Sequence, residues 1–225
     1  MVGQALKPPF EYYGGKAKLG PLIANLLPKH DHYVEPFAGG LSVLLAKQPS
    51  RAETVNDIDG DLVTFWRVLR DDTEALERAC ALTPHSRQEL GDAFQREGLS
   101  DLEVARRVFT VLNQAREHSL SGKTASSWRR YFRPGQLPEQ LWVKGSRIAQ
   151  VAERMRNVSI ENSDAIDVIR DYGSEPTVCI YADPPYLGST RGGGYREELK
   201  SDAAHDSFAD ALLGCKAKVL VSGYH

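Results

Sequence analysis

Five short apolar or β-branched runs, set among stretches of helical periodicity, constrain this chain more than any other feature, because such alternation has few ways to bury itself. The runs are Tyr33-Val34-Glu35-Pro36-Phe37, Thr54-Val55-Asn56-Asp57-Ile58, Val158-Ser159-Ile160, Val178 to Ala182, and Lys218-Val219-Leu220-Val221-Ser222. Apolar spacing predicts a helix over Leu41 to Lys47 and another from Asp61 to about Leu82, carried by Leu62, Phe65, Trp66, Leu69 and Leu76. The same pattern recurs over Asp101 to Arg116 through Leu102, Ala105, Val108, Phe109 and Leu112, and again at Ile148, Val151, Ala152 and Met155. Strands alternating with helices predict an α/β fold with a mainly parallel, doubly wound sheet. A largely helical segment near 70–157, containing an irregular connection marked by Gly122, Pro134, Gly135 and Pro138, interrupts it.

A chain of 225 residues buries a full core as one domain, or as one core domain with a modest insertion. Neither a run of about 18 apolar residues nor a basic-then-apolar leader is present, so the expectation is a soluble cytoplasmic protein with no membrane partner. Cys80, Cys179 and Cys215 are far apart and outside any paired motif, which fits small buried hydrophobes rather than a disulfide framework or a zinc site. His30 and His32 flank Asp31 without a further ligand cluster and read as a polar turn, so no metal is expected.

The formal net charge of −2 conceals an asymmetry. Residues 104–156 hold 11 Lys/Arg and 3 Asp/Glu, leaving the remainder near −10. A basic segment inside an acidic protein points to a localised phosphate-facing surface, although a solvated helix face accounts for the charge pattern equally well. The candidate contacts are Arg116, Lys123, Trp128, Arg129, Arg130 and Arg133, the last four lying in a tract that mixes cations with aromatics.

The motifs fall where the carboxyl ends of the strands are expected, which is where such sheets bind ligands. Phe37-Ala38-Gly39-Gly40 follows the first strand, and Asp57 lies 18 residues after Gly39 near the end of the second, placed to hydrogen-bond ribose hydroxyls. The loop lacks the longer glycine cradle for a pyrophosphate, which favours S-adenosyl-L-methionine over a dinucleotide. Glu35 is either a third polar contact or a strand-end charge. Upstream, Phe10-Glu11-Tyr12-Tyr13-Gly14-Gly15-Lys16 combines aromatics, glycines and a cation able to clamp a methionyl end. Asp183-Pro184-Pro185-Tyr186, directly after the fourth strand, carries the most specific chemistry. Adenine's exocyclic amine is a poor nucleophile because its lone pair is delocalised. Asp183 and the Pro184 carbonyl would accept its hydrogens, the two prolines would stiffen the loop, and Tyr186 would supply a stacking face. Taken alone, the tetrapeptide also suits a plain turn.

In the order Tyr12-Tyr13-Gly14-Gly15-Lys16, Glu35-Pro36-Phe37-Ala38-Gly39-Gly40, Asn56-Asp57-Ile58-Asp59, an insertion, then Asp183-Pro184-Pro185-Tyr186, the chain resembles the Dam-type, alpha-group DNA adenine-N6 methyltransferases, phage and prophage members most closely. The resemblance covers roughly residues 8–66 and 157–224. It implies a Rossmann-like methyltransferase sheet, with a discontinuous cofactor-binding catalytic domain at 1–69 and 158–225 and a target-recognition domain at 70–157. By position it implies that Lys16, with Tyr12 or Tyr13, holds the cofactor carboxylate, that Phe37 packs on the adenosyl part beside Gly39 and Gly40, and that Asp57 takes the ribose. Ser163 and Asp164 would meet the cofactor adenine, Asp183, Pro184, Pro185 and Tyr186 would form the catalytic loop, and Ser222-Gly223-Tyr224 would line the pocket near a flipped base. Double-stranded DNA is the implied partner, and a restriction-modification setting with a cognate endonuclease is consistent with the family. Relatives continue past the position of His225, which implies a core short of an edge strand, and the insertion lacks the family's loop for GATC, so a different site is expected. Two other readings stand beside this one: a catalytically silent cofactor- and DNA-binding protein, and a methyltransferase acting on RNA or protein.

Overall fold

The computed structural model describes residues 5–120, 127–130, 138–185 and 202–223. In chain order the elements are α1 (Gly20–Leu26), β1 (His32–Glu35), β2 (Ala52–Asn56), α2 (Gly60–Asp71), α3 (Thr73–Ala81), α4 (Arg87–Asp92), α5 (Asp101–Gln114), α6 (Pro138–Gly145), α7 (Ile148–Met155), β3 (Val158–Glu161), α8 (Ala165–Gly173), β4 (Val178–Ala182), α9 (Asp202–Leu213) and β5 (Lys218–Val221). The strands form one sheet in the order β3-β2-β1-β4-β5, every pairing parallel.

Side chains alternate across a strand, and here the alternation divides the core in two. Tyr33 and Tyr181 face one side of the sheet, where they share a cluster with Phe65 and Trp66 of α2, Val108 and Leu112 of α5, and Ile148 and Met155 of α7. Val34 and Ile180 face the other side, packing with Val168 and Ile169 of α8 and Phe208 of α9. Both faces are covered, as a parallel sheet requires. The inserted helices are therefore a layer of the same core, continuous with the sheet through Tyr33, Val55, Val158 and Tyr181.

An ionic knot fixes that layer. The Glu53 carboxylate on β2 receives the Lys47 ammonium at 2.5 Å and the Arg154 guanidinium of α7 at 2.5 Å, with all three side chains less than a tenth exposed. Burial pushes the Glu53 carboxyl up, but hydrogen bonds from Arg154 and Lys47 outweigh it and hold the group below the usual carboxylate range. Arg154 also donates to the Leu44 carbonyl at 3.1 Å, tying α7 to the loop after β1.

Several elements differ from expectation. Leu41 to Lys47 is a set of turns and not a regular helix: Leu41 adopts φ 53, and Leu45 N–H bonds to Leu41 while Ala46 and Lys47 both bond to Val43, mixing the two turn spacings. The helix expected from Asp61 to Leu82 is two. Asp72, at φ −137 and ψ 55, closes α2 with its N–H on the Val68 carbonyl and opens α3 with its own carbonyl on the Leu76 N–H. β1 stops at Glu35, before Pro36, which has no ladder donor. Helices α1, α4, α6, α8 and α9 had no counterpart in the apolar spacing. Cys80 and Cys179 are buried, as small hydrophobes are. Among the described residues no helix is long and apolar enough to cross a membrane.

Candidate active site

From β1 the chain proceeds outward through β2 to β3, then returns to the other side of β1 for β4 and β5. The order reverses between β1 and β4, and a crevice opens at their carboxyl ends. A single cavity there is lined by Tyr12, Tyr13, Lys16, Glu35, Phe37, Gly39, Gly40, Asp57, Asp164, Asp183 and Pro185, which brings together eleven of the residues singled out from sequence.

The loop after β1 is held open from beneath. Gly39 adopts φ 46, and a Cβ there would come within 3.0 Å of the Tyr12 ring, so only glycine lets the aromatic lie against the backbone. Asp57 organises this loop: one carboxylate oxygen accepts the Gly39 N–H at 2.9 Å and the other the Asp59 N–H at 3.0 Å. The Gly39 carbonyl in turn accepts the Trp66 indole N–H at 3.1 Å. Burial pushes the Asp57 carboxyl up to about 6, against the downward pull of those backbone N–H groups. Asp59 caps α2 through the N–H groups of Asp61 and Leu62, a bond pair worth about 1 kcal/mol. Leu41, fully buried at the cavity wall, takes a left-handed conformation that costs about 1–2 kcal/mol.

Glu35 ends β1 inside the cavity wall, 3% exposed, where it accepts the Tyr33 hydroxyl at 2.9 Å. Burial, with the nearby Asp183 carboxylate adding to it, pushes its carboxyl up to about 8, so it holds a proton at neutral pH. Across the cavity the Lys16 ammonium lies 2.7 Å from each Asp183 carboxylate oxygen and 3.0 Å from the Gly14 carbonyl, joining the N-terminal segment to the loop after β4. Ser222 sits beside that loop, its N–H on the Ala182 carbonyl at 2.9 Å and its hydroxyl 2.8 Å from that of Tyr181. Tyr186 and Tyr224 lie outside the described residues.

Two residues named from sequence lie off the cavity lining. Ser163 does not line the cavity. Its N–H donates to the Asn56 side chain at 2.8 Å and its carbonyl accepts from the same amide at 3.0 Å, a clasp between the ends of β2 and β3; Asp164, which caps α8, faces the cavity instead. Pro184 is buried, while Pro185 lines the cavity. Sequence reasoning missed Ser42, Ile58, Ile166 and Tyr181 as lining residues. Ile58 had a signal: an aliphatic between two acids at a strand end, which the fold leaves 48% exposed. The donor set suits a nucleoside joined to an amino acid. Phe37, Ile58 and Ile166 offer apolar faces, Asp57 an acceptor, Lys16 a cation for a carboxylate, and Glu35 with Asp183 partners for positive charge.

In the basic segment an antiparallel bridge, Ala115 with Trp128, sets two short backbones side by side. Arg116 N–H donates to the Ser127 carbonyl and Arg129 N–H to that of Gln114, both at 2.9 Å, which groups Arg116, Arg129 and Arg130. Lys123 and Arg133 lie outside the described residues. Trp128 is partly buried and stacks on His85 at 4.8 Å with 21° between rings, and the Arg87 guanidinium lies 5.3 Å from its ring. The ring therefore packs the segment down. Much of the positive charge counted from sequence is structural as well: Arg106 pairs with Glu103 and Glu89, Arg107 with Glu103, and Arg154 enters the buried knot.

The profile of the D12 class N6 adenine-specific DNA methyltransferase family matches residues 12–224. The Type II methyltransferase M1.LlaDCHI of Lactococcus lactis subsp. cremoris is 27% identical over 199 residues, covering 81% of this chain and 66% of the relative. The Type II methyltransferase M.MjaIII of Methanocaldococcus jannaschii is 25% identical over 229 aligned positions, covering 89% of this chain and 76% of the relative. The chain thus spans roughly two thirds to three quarters of the length of these relatives.

Proposed function

Because this chain belongs to the D12 class N6 adenine-specific DNA methyltransferase family, we propose that it methylates the N6 amine of adenine at a specific site in double-stranded DNA, with S-adenosyl-L-methionine as donor. The observation that carries the reading is the meeting of Lys16, Asp57 and Asp183, from three distant segments, around one cavity at the reversal point of the sheet. When bound, the cofactor supplies an electrophilic methyl group on a sulfonium. Lys16 takes the carboxylate of its methionyl end, Asp57 its ribose, and Phe37 with Ile58 its adenine. Asp164 completes that subsite.

The target adenine leaves the duplex, at a cost of a few kcal/mol, to reach the cavity. Tyr186 stacks on it. Asp183 and the Pro184 carbonyl accept the amine hydrogens, localising the lone pair, and the stiff Pro184-Pro185 backbone keeps the acceptors fixed. Asp183 need not be a strong base, because the amine becomes acidic only as the methyl arrives and its proton then leaves to water. No metal enters. Arg116, Arg129 and Arg130, with Lys123 and Arg133, face the phosphates, and Trp128 holds their segment in place. Acting on DNA, the protein works in the cytoplasm; a cognate restriction endonuclease accompanies it if it serves a restriction-modification system.

The test is transfer of radiolabelled methyl from S-adenosyl-L-methionine to mixed-sequence DNA, followed by nucleoside analysis. Label in N6-methyldeoxyadenosine is expected. Label only in RNA or protein, or none on any acceptor, would overturn the reading.

A further inference from the structure

We propose that Glu11 is a positioning residue which ties the recognition helices to the cofactor clamp, so that DNA and cofactor bind with positive cooperativity. This rests on the function proposed above. Residues 8–16 form a strap between two regions. At one end the Pro8 carbonyl accepts from Arg147 at 3.1 Å, the Pro9 carbonyl from Asn113 at 3.3 Å, and the Tyr13 N–H donates to the His118 carbonyl at 2.9 Å. At the other end the Tyr12 ring lies against Gly39 and its Cβ against Gly40, and Lys16 reaches Asp183. Glu11 is the charged lock between them. One of its oxygens lies 2.9 Å from the His118 ring and 3.9 Å from the Arg129 guanidinium, and the other 3.4 Å from the Lys144 ammonium.

The lock is built with some strain. His118 is one of two described non-glycine residues at positive φ, at 50°, and this conformation aims its carbonyl at Tyr13 and its ring at Glu11. Partial burial pushes the Glu11 carboxyl up, but Lys144, His118 and Arg129 outweigh that and hold it below the usual range. Burial lowers the Lys144 ammonium and Glu11 opposes that fall, which ties the two groups by charge beside Arg129.

A cofactor on Tyr12 and Lys16 orders the strap from one side, and DNA on Arg129 orders it from the other. Whichever binds second meets a smaller ordering cost, which is cooperativity without contact between ligands. The test titrates S-adenosylhomocysteine, which cannot turn over, by calorimetry with and without sheared genomic DNA. In the wild type DNA should tighten the binding about tenfold, within the usual span of such couplings. Glu11→Gln should leave the DNA-free dissociation constant within about twofold yet cut the coupling to below about twofold. Lys144→Gln, altered from the recognition side, should reproduce the loss, and the double variant should lose nothing further. Wild-type coupling retained in Glu11→Gln, or a wild type that binds S-adenosylhomocysteine but shows no coupling, overturns the tie alone. A wild type that binds no S-adenosylhomocysteine at all overturns the functional reading with it.

Discussion

The cavity at the ends of β1 and β4 and the basic segment around Arg116 and Arg129 both concentrate charge, yet they use it differently. In the cavity the charges are few and each is fixed by the sheet: Glu35 ends a strand, Asp57 follows one, and Asp183 follows another. In the basic segment the charges are many, and several serve the fold rather than a ligand, with Arg106 and Arg107 on Glu103 and Arg154 on Glu53. Strand ends pin side chains to within a fraction of a residue step, whereas charge density along helices does not say which cations face a partner.

The largest expected effect separates structural from ligand-facing cations. Arg154→Ala leaves Glu53 buried with one partner fewer and should cost about 3–5 kcal/mol. Arg130→Ala, at an exposed position, should stay within about 0.5 kcal/mol. Denaturant melts of both variants check this, and equal losses would erase the contrast. Next in size, Asp183→Ala should lower methyl transfer about 10²–10³-fold while the variant still binds cofactor, and near-native turnover would remove Asp183 from the chemistry.

Glu35 sharpens the cavity's side of the contrast through pH. Its folded-state pKa, about 8, lies above the ordinary carboxylate value of 4.5, so the folded protein holds a proton that the unfolded chain releases. That contribution is fully present below about 4.5 and is lost as pH rises to about 8. The ammonium or sulfonium of a bound cofactor favours the ionised form, so binding releases the proton. Affinity should therefore rise between pH 6 and pH 8, approaching about tenfold per pH unit, and Glu35→Gln should flatten both the affinity and the stability profiles. An unchanged affinity slope in the variant would show that another group titrates. The smallest effect belongs to the basic segment. Arg116→Ala and Arg130→Ala should each flatten the dependence of log DNA affinity on log salt by about 0.9, whereas Arg107→Ala, whose guanidinium is already paired, should leave it unaltered.

Residues on strands and at their ends were legible in the sequence because a period of two and a few glycines and prolines leave little freedom. All five strands are found, and most of the residues named from sequence between Tyr12 and Asp183 line one cavity. Elements shaped by tertiary contact were not legible. Leu41 to Lys47 carries helical spacing but bends to bury Leu41 and to send Lys47 to Glu53, and α8 and α9 are defined by the second face of the sheet they cover, where Val168, Ile169 and Phe208 meet Val34 and Ile180. The placement of Ser163 was hidden for a related reason: its neighbour Asp164 faces the cavity, while Ser163 is drawn to Asn56 by a clasp made across 107 residues.

The hydrogen bond from Gly39 to Asp57 has an evolutionary consequence. The carboxylate proposed to read the ribose is also the peg that holds the glycine turn in shape. A substitution that would retune ligand choice, such as exchanging Asp57 for a neutral or basic residue to admit a phosphorylated nucleotide, would at the same stroke release the turn that leaves room for any ligand. Ligand choice and local architecture are thus inherited as one character. Single exchanges at Arg116 or Arg130 leave this turn untouched, whereas any exchange at Asp57 reaches it.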